Sequence, residues 1–351
     1  MRTNLDLLRA IAVTAVLIDH ILLYLLHRVY DGPNPFTALR LGRLGVLIFF
    51  VHTFFVLVKS MERDEGITKS TQTIRFYVRR AFRIYPLVWL AVATACIAHI
   101  PAGPTIPYVF LGIRGILANC LLIQNVLLVP SAIGPLWSLP YEIQMYLVLP
   151  LLFWCLVSNY RGLWLGVFYS GICILVLWGP QMGLHGTFLL EYAPCFLAGG
   201  IAFVLEKHAH QFLPGYVWPV GILVAGAGFL AVPLGTESFY RISSWVACLA
   251  IGVLFPFCAD IRQRSVVIVS HWVAKYSFGI YIVHVPVMWL VCLVVPGWNP
   301  VAKILAVVPI TAFLSFALYH ALEEPCINLG KKLAMRICLS QTRVIEAVNA
   351  D

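Results

Sequence analysis

Long apolar runs recur from one end of this 351-residue chain to the other. No polar stretch between them is long enough to fold alone. A helix crossing a bilayer needs about twenty mostly apolar residues. Such runs fall at about residues 7–26, 44–61, 82–100, 138–157, 163–178, 188–205, 217–232, 245–259, 277–295 and 301–322. With 61% hydrophobic and 11% charged residues, the chain is far more apolar than a soluble domain, which is nearer half and a quarter. Its mean hydropathy is +0.90. These features predict an all-α polytopic membrane protein with about ten transmembrane helices. Residues 1–330 form the membrane domain, and 331–351 a short basic tail on the cytoplasmic side.

The stretch 116–129 is apolar but too short to cross, and it holds Asn119, Gln124 and Asn125. It reads as a re-entrant or interfacial segment buried in protein, where irregular backbone is tolerated. The first apolar run contains Asp19 and His20 and lacks a small-residue cleavage site, so it is expected to be a retained helix. With the N-terminus inside, eighteen of the 24 Lys and Arg residues fall on inner loops. That bias places both termini in the cytoplasm, as for a bacterial inner-membrane protein. It also explains the net charge of +9 without any nucleic-acid partner. The ten cysteines are scattered, mostly in apolar runs, and no Cys/His cluster has zinc spacing, so no metal site is expected. No internal repeat is evident, which weakens an inverted-repeat transporter reading.

Ionisable groups inside a bilayer are costly and point to function. Arg9 and His20 lie eleven residues apart. On a helix this puts them within about 20° of one face and roughly 16 Å apart along the axis. Asp6 shares that stripe to within about 40°, whereas Asp19 points about 100° away. The stripe runs from a cationic inner mouth to a deep imidazole suited to taking a proton. The alternative is a packing histidine with Arg9 reaching back to the interface.

In "IRFYVRRAFRIYP", Arg75, Arg79, Arg80 and Arg83 are helical neighbours, so two or three guanidinium groups can converge. Such a group suits phosphates, although inner-loop topology also explains it. In "GPLWSLPYEIQMYLVLP", Ser138 can cap a helix, Pro140 suits its first turn, and Glu142 and Tyr146 share a face. In "YSFGIYIVHVP", His284 follows Tyr281 by three residues inside a span. In "YHALEEPCINLGKKL", His320, Glu323 and Glu324 precede Pro325, which reads as a helix end at the cytoplasmic boundary.

These separated pieces resemble, in order, the acyltransferase-3 family of membrane acyltransferases. "LDLLRAIAVTAVLIDH" looks like its opening Arg-x10-His, and "RRAFRIYP" is similar to its Arg-x-x-Arg element. "PLWSLPYEIQMYLVLP" resembles its Trp-Ser-Leu-x-x-Glu motif, and "YSFGIYIVHVP" and "LEEP" match late segments. The resemblance implies a membrane-embedded O-acyltransferase moving an acyl group, acetyl first, from cytoplasmic acyl-CoA to a hydroxyl of a carbohydrate or glycolipid acceptor. No cofactor is held permanently, and acetyl-CoA is a cosubstrate. His20 and Glu142 are the expected catalytic residues. Arg9, Arg79, Arg80 and Arg83 are the expected donor-binding set. Trp137, Ser138, Tyr146 and His284 are expected on the acceptor side. The partners are then acyl-CoA, the acceptor and membrane lipid. A glycan or lipid transporter is the alternative that buried Arg, His and Glu also allow.

One segment departs from the family. Where members commonly carry Phe-Phe-Val-Leu-Ser-Gly-Phe, this chain reads Phe49-Phe50-Val51-His52-Thr53-Phe54-Phe55. Losing the small Ser-Gly step is expected to alter close helix packing, and His52 adds an imidazole inside the membrane.

Overall fold

The computed structural model describes residues 3–26, 38–103, 108–182, 188–232, 237–295 and 297–348. The regular elements are helices: α1 (Thr3–Leu26), α2 (Ala38–Glu62), α3 (Lys69–Ala98), α4 (Gly112–Cys120), α5 (Leu139–Val157) and α6 (Arg161–Trp178), followed by α7 (Ala193–Glu206), α8 (Val217–Leu230), α9 (Glu237–Leu254), α10 (Arg264–Met288), α11 (Pro300–Leu318) and α12 (Glu324–Val348). Among the described residues the one strand-like feature is an isolated bridge between Leu213 and Cys258.

Among the described residues, eight stretches are long and apolar enough to cross a membrane. At the sixth and seventh expected spans stand α7 and α8, with 14 residues each. At 1.5 Å per residue they reach about 21 Å, short of a hydrocarbon core of about 30 Å.

Helix ends follow local chemistry. Thr68 accepts a hydrogen bond from the Thr71 amide at the start of α3, and His99 closes that helix in the left-handed region at φ 52°. Asn299 caps α11 by accepting from the Ala302 amide at 2.7 Å, with Pro300 next in line. Ser138 does not cap α5: its backbone is already helical and its side chain turns away to Tyr281. Nor does Pro325 end the helical course. A wide π-type turn at Tyr319–Glu323 absorbs its missing N–H, and α12 continues beyond it along α3. The charged halves of α3 and α10 also lie inside helices, extending both spans toward their N-termini beyond the apolar runs.

The segment 116–129 is held by its own polar side chains. Asn119 donates to Gly115 O and Pro130 O and accepts from the Ala132 amide, at 2.8–2.9 Å. Gln124 donates to Leu136 O at 2.9 Å. Thus non-helical backbone, with Leu122 and Leu128 at positive φ, is satisfied within protein.

The core is built on α2. It packs against α1 on one side and α7 and α9 on another, while α10 lies along α1. The α1–α2 approach needs Gly45: a Cβ there would stand 2.5 Å from Ala12 O. Phe54 is accommodated against α7. Phe54 is fully buried, and the space it takes is left by Gly199 and Gly200. A Cβ on Gly199 would lie 2.3 Å from Val51 O, and one on Gly200 would lie 2.9 Å from the Phe54 ring.

Candidate active site

A cavity of about 240 Å³ lies where α1, α2, α3, α5 and α10 meet. Each helix contributes polar groups at one level: Arg9 from α1, His52 from α2, Arg80 and Arg83 from α3, Glu142 and Tyr146 from α5, Ser277 and Tyr281 from α10. Phe49 and Phe50 add an apolar wall. Arg80 and Arg83 share a face of α3, and the Arg80 guanidinium lies 5.8 Å from the Phe76 ring centre. The Tyr146 hydroxyl donates to Glu142 Oε1, fixing that carboxylate one turn below it.

Three guanidiniums therefore face one carboxylate in the cavity wall. A second carboxylate, Glu323, is 3% exposed and within electrostatic reach of Arg83 and Arg9. The excess positive charge, held partly away from bulk solvent, suits an anionic ligand carrying phosphate.

His20 does not line this cavity. Its ring meets that of His284 edge to face, with centroids 4.9 Å apart. The His284 ring in turn lies 6.1 Å from that of Tyr281. Tyr281 thus belongs both to the cavity wall and to the surroundings of the two imidazoles. Its hydroxyl donates to Pro135 O at 2.8 Å and is joined to Ser138 Oγ at 2.7 Å. Because a carbonyl can only accept, Tyr281 spends its proton on Pro135 and Ser138 donates to it.

Both imidazoles are set the same way. His20 Nδ1 lies 2.9 Å from Val16 O, and His284 Nδ1 lies 3.0 Å from Ile280 O. Each Nδ1 must be the donor, which leaves the lone pair of the neutral ring on Nε2. The buried His284 Nε2 has no partner among the described residues. Each ring thus keeps its acceptor lone pair on Nε2, in a pair of imidazoles next to Tyr281.

The other expected site residues separate. Arg79 is paired with Asp64 and lies outside the cavity wall, and Arg75 shares the same carboxylate at 3.4 Å. Trp137 is also outside; Arg43 lies over its ring at 5.0 Å and donates to Tyr192 Oη at 3.3 Å. Asp6 bonds His271 Nδ1 on α10 at 3.0 Å. Asp19 turns to the start of α2, where a Cβ on Gly42 would stand 2.7 Å from its Oδ2. Ser277 was not singled out by the sequence. The signal was present, since Ser277, Tyr281 and His284 are spaced i, i+4, i+7 on one helical face.

Comparison with known proteins identifies the family. A family model described as an acyltransferase domain matches residues 2–320. The chain is similar to the peptidoglycan O-acetyltransferase OatA of Listeria monocytogenes, at 24% identity over 82% of this chain and 49% of that protein. It is also similar to the acyltransferase MdmB of Streptomyces mycarofaciens, at 27% identity over 82% of each. It therefore spans about half the length of the first relative and most of the second. No solved structure matches it significantly. The chain belongs to this acyltransferase family, and with its apolar helices it is a multi-pass membrane protein.

Proposed function

We propose that this acyltransferase carries an acyl group, acetyl first, from acyl-CoA to a hydroxyl of a carbohydrate or glycolipid acceptor, with His20 as general base. The observation that carries the reading is the arginine-rich cavity set beside a pair of imidazoles whose Nδ1 atoms are engaged by backbone carbonyls, leaving Nε2 as the acceptor. Arg9, Arg80 and Arg83 hold the phosphate-bearing donor. The acyl-carrying arm extends past Tyr281, and the acceptor hydroxyl arrives at His20 from the opposite side. His20 Nε2 takes the hydroxyl proton as the oxygen attacks the thioester carbon. The carbon–sulfur bond then breaks, and the imidazolium returns the proton to the leaving thiolate. Glu142, bonded to Tyr146, balances the arginines.

A carbohydrate acceptor is supported by the peptidoglycan named for the Listeria relative. A cytoplasmic donor side and cytoplasmic termini in a bacterial inner membrane are supported by the Lys and Arg bias. The test incubates purified protein in lipid nanodiscs with labelled acetyl-CoA and acceptor-bearing membranes. Label is expected in a glycan, with one acetyl of added mass, and is lost in His20→Ala. Transfer that persists in His20→Ala removes His20 as the base. Absence of transfer by the unaltered protein to any hydroxylated membrane fraction overturns the reading.

A further inference from the structure

One imidazole that the proposed reaction does not use lies in the arginine-rich cavity. His52 is on α2, 4% exposed, and lines the same cavity as Arg9 and Arg83. Its Nε2 has no hydrogen-bond partner among the described residues. A buried polar atom left unpaired is destabilising, and native structures keep few of them. His52 is neither an ion-pair member nor a helix cap. Its neighbours on α2 in the wall, Phe49, Val56 and Leu57, are apolar. A ligand crossing that wall finds one side-chain hydrogen-bonding group on α2 besides the Thr53 hydroxyl.

We propose that His52 recognises an amide of the donor's acyl-carrying arm. The inference rests on the acyl-CoA reading above. Between its phosphates and its thioester, that arm carries two secondary amides. Both lose their water when the arm enters a cavity of this kind, and each needs a partner. Arg9 and Arg83 hold the anionic end, and Tyr281 marks the far end toward the two imidazoles. An arm laid between them crosses the His52 wall. An amide offers both a carbonyl and an N–H, so either tautomer of the imidazole finds its complement. The interaction selects a donor with an amide-bearing arm over a bare thioester, and it touches neither the reacting carbon nor the acceptor.

The test compares acetyl-CoA with a small amide-free alkyl thioacetate as donors for the purified protein in nanodiscs. The readout is the ratio of their kcat/KM values. His52→Leu is expected to lower that ratio about tenfold, the factor one lost hydrogen bond to a buried group commands. The loss should lie in KM for acetyl-CoA. His52→Gln, which keeps a donor and an acceptor, is expected to recover most of the ratio, and should the leucine variant not fold, His52→Met carries the same comparison. Equal losses with both donors mean that His52 acts on the thioester or only on packing, and overturn the proposal. So does an unchanged ratio, or a glutamine variant no better than leucine. Unaltered protein that uses neither donor overturns the acyl-transfer reading itself, and this inference with it.

Discussion

The imidazoles of His20 and His284 meet edge to face with ring planes 79° apart, and each donates Nδ1–H to the carbonyl four residues before it on its own helix. The backbone thus selects the tautomer of both rings. Neither depends on a carboxylate for orientation, and Asp19, next to His20 in sequence, turns to α2.

His20→Gln is therefore expected to lower kcat by about 10²–10⁴-fold, the range of a lost general base, with KM for acyl-CoA within about threefold. His284→Phe keeps a ring against His20 but removes the second Nε2. It is expected to lower kcat less than His20→Gln does. Steady-state kinetics with labelled donor measure both, and a larger loss at His284 would exchange the roles of the two rings.

Among the arginines, Arg80 and Arg83 line the cavity while Arg79 holds Asp64. Arg83→Ala is expected to raise KM for acyl-CoA by about tenfold or more, because a charge-assisted hydrogen bond contributes about 1.5–3 kcal/mol. Arg83→Lys restores the charge but not the planar fork, and recovers only part. Arg79→Ala is expected to change donor KM by less than about twofold. Titrating CoA against each purified variant by calorimetry gives the same ranking as a binding constant.

Tyr281→Phe removes the hydroxyl that serves Pro135 O and Ser138 Oγ. Two buried polar groups lose their partner, at about 1–3 kcal/mol each. The variant is expected to unfold at a lower temperature in detergent than Ser138→Ala, which leaves the Tyr281–Pro135 bond intact. Thermal unfolding followed by tryptophan fluorescence makes the comparison.

Much of this site was legible in the sequence because helical spacing is a strong constraint. Arg80 with Arg83, and Glu142 with Tyr146, share a face by arithmetic alone, and the structure puts all four in one cavity. Arg79 could not be separated from them by spacing. Its partner, Asp64, lies fifteen residues away across the turn before α3, and only the folded chain brings them together. The apolar runs located the crossings but not their full lengths. The start of α10 and the helix α12, which packs along α3, lie outside the apolar runs, because Arg264, His271 and Lys275 on one and Glu324, Lys331, Lys332 and Arg336 on the other interrupt them. His20 could be placed on the Arg9 stripe. Its separation from the cavity by Tyr281 could not, since that depends on how α10 lies along α1.

The α2–α7 contact gives the strictest test of the packing. Phe54 is fully buried, so Phe54→Ala is expected to cost about 3–5 kcal/mol. Gly200→Ala alone places a methyl 2.9 Å from the Phe54 ring, and Gly199→Ala places one 2.3 Å from Val51 O. Both single changes are expected to destabilise. They part company when combined with Phe54→Ala. The ring that crowds Gly200 is then gone, so the Gly200 methyl fills part of the vacated space, and the double variant should be more stable than Phe54→Ala alone. The atom that crowds Gly199 is backbone and does not leave, so that pair should remain close to additive. A double-mutant cycle on thermal or denaturant unfolding in detergent reads the difference. Equal coupling at the two glycines would mean that Phe54 does not fill the place on α7 that Gly200 leaves open.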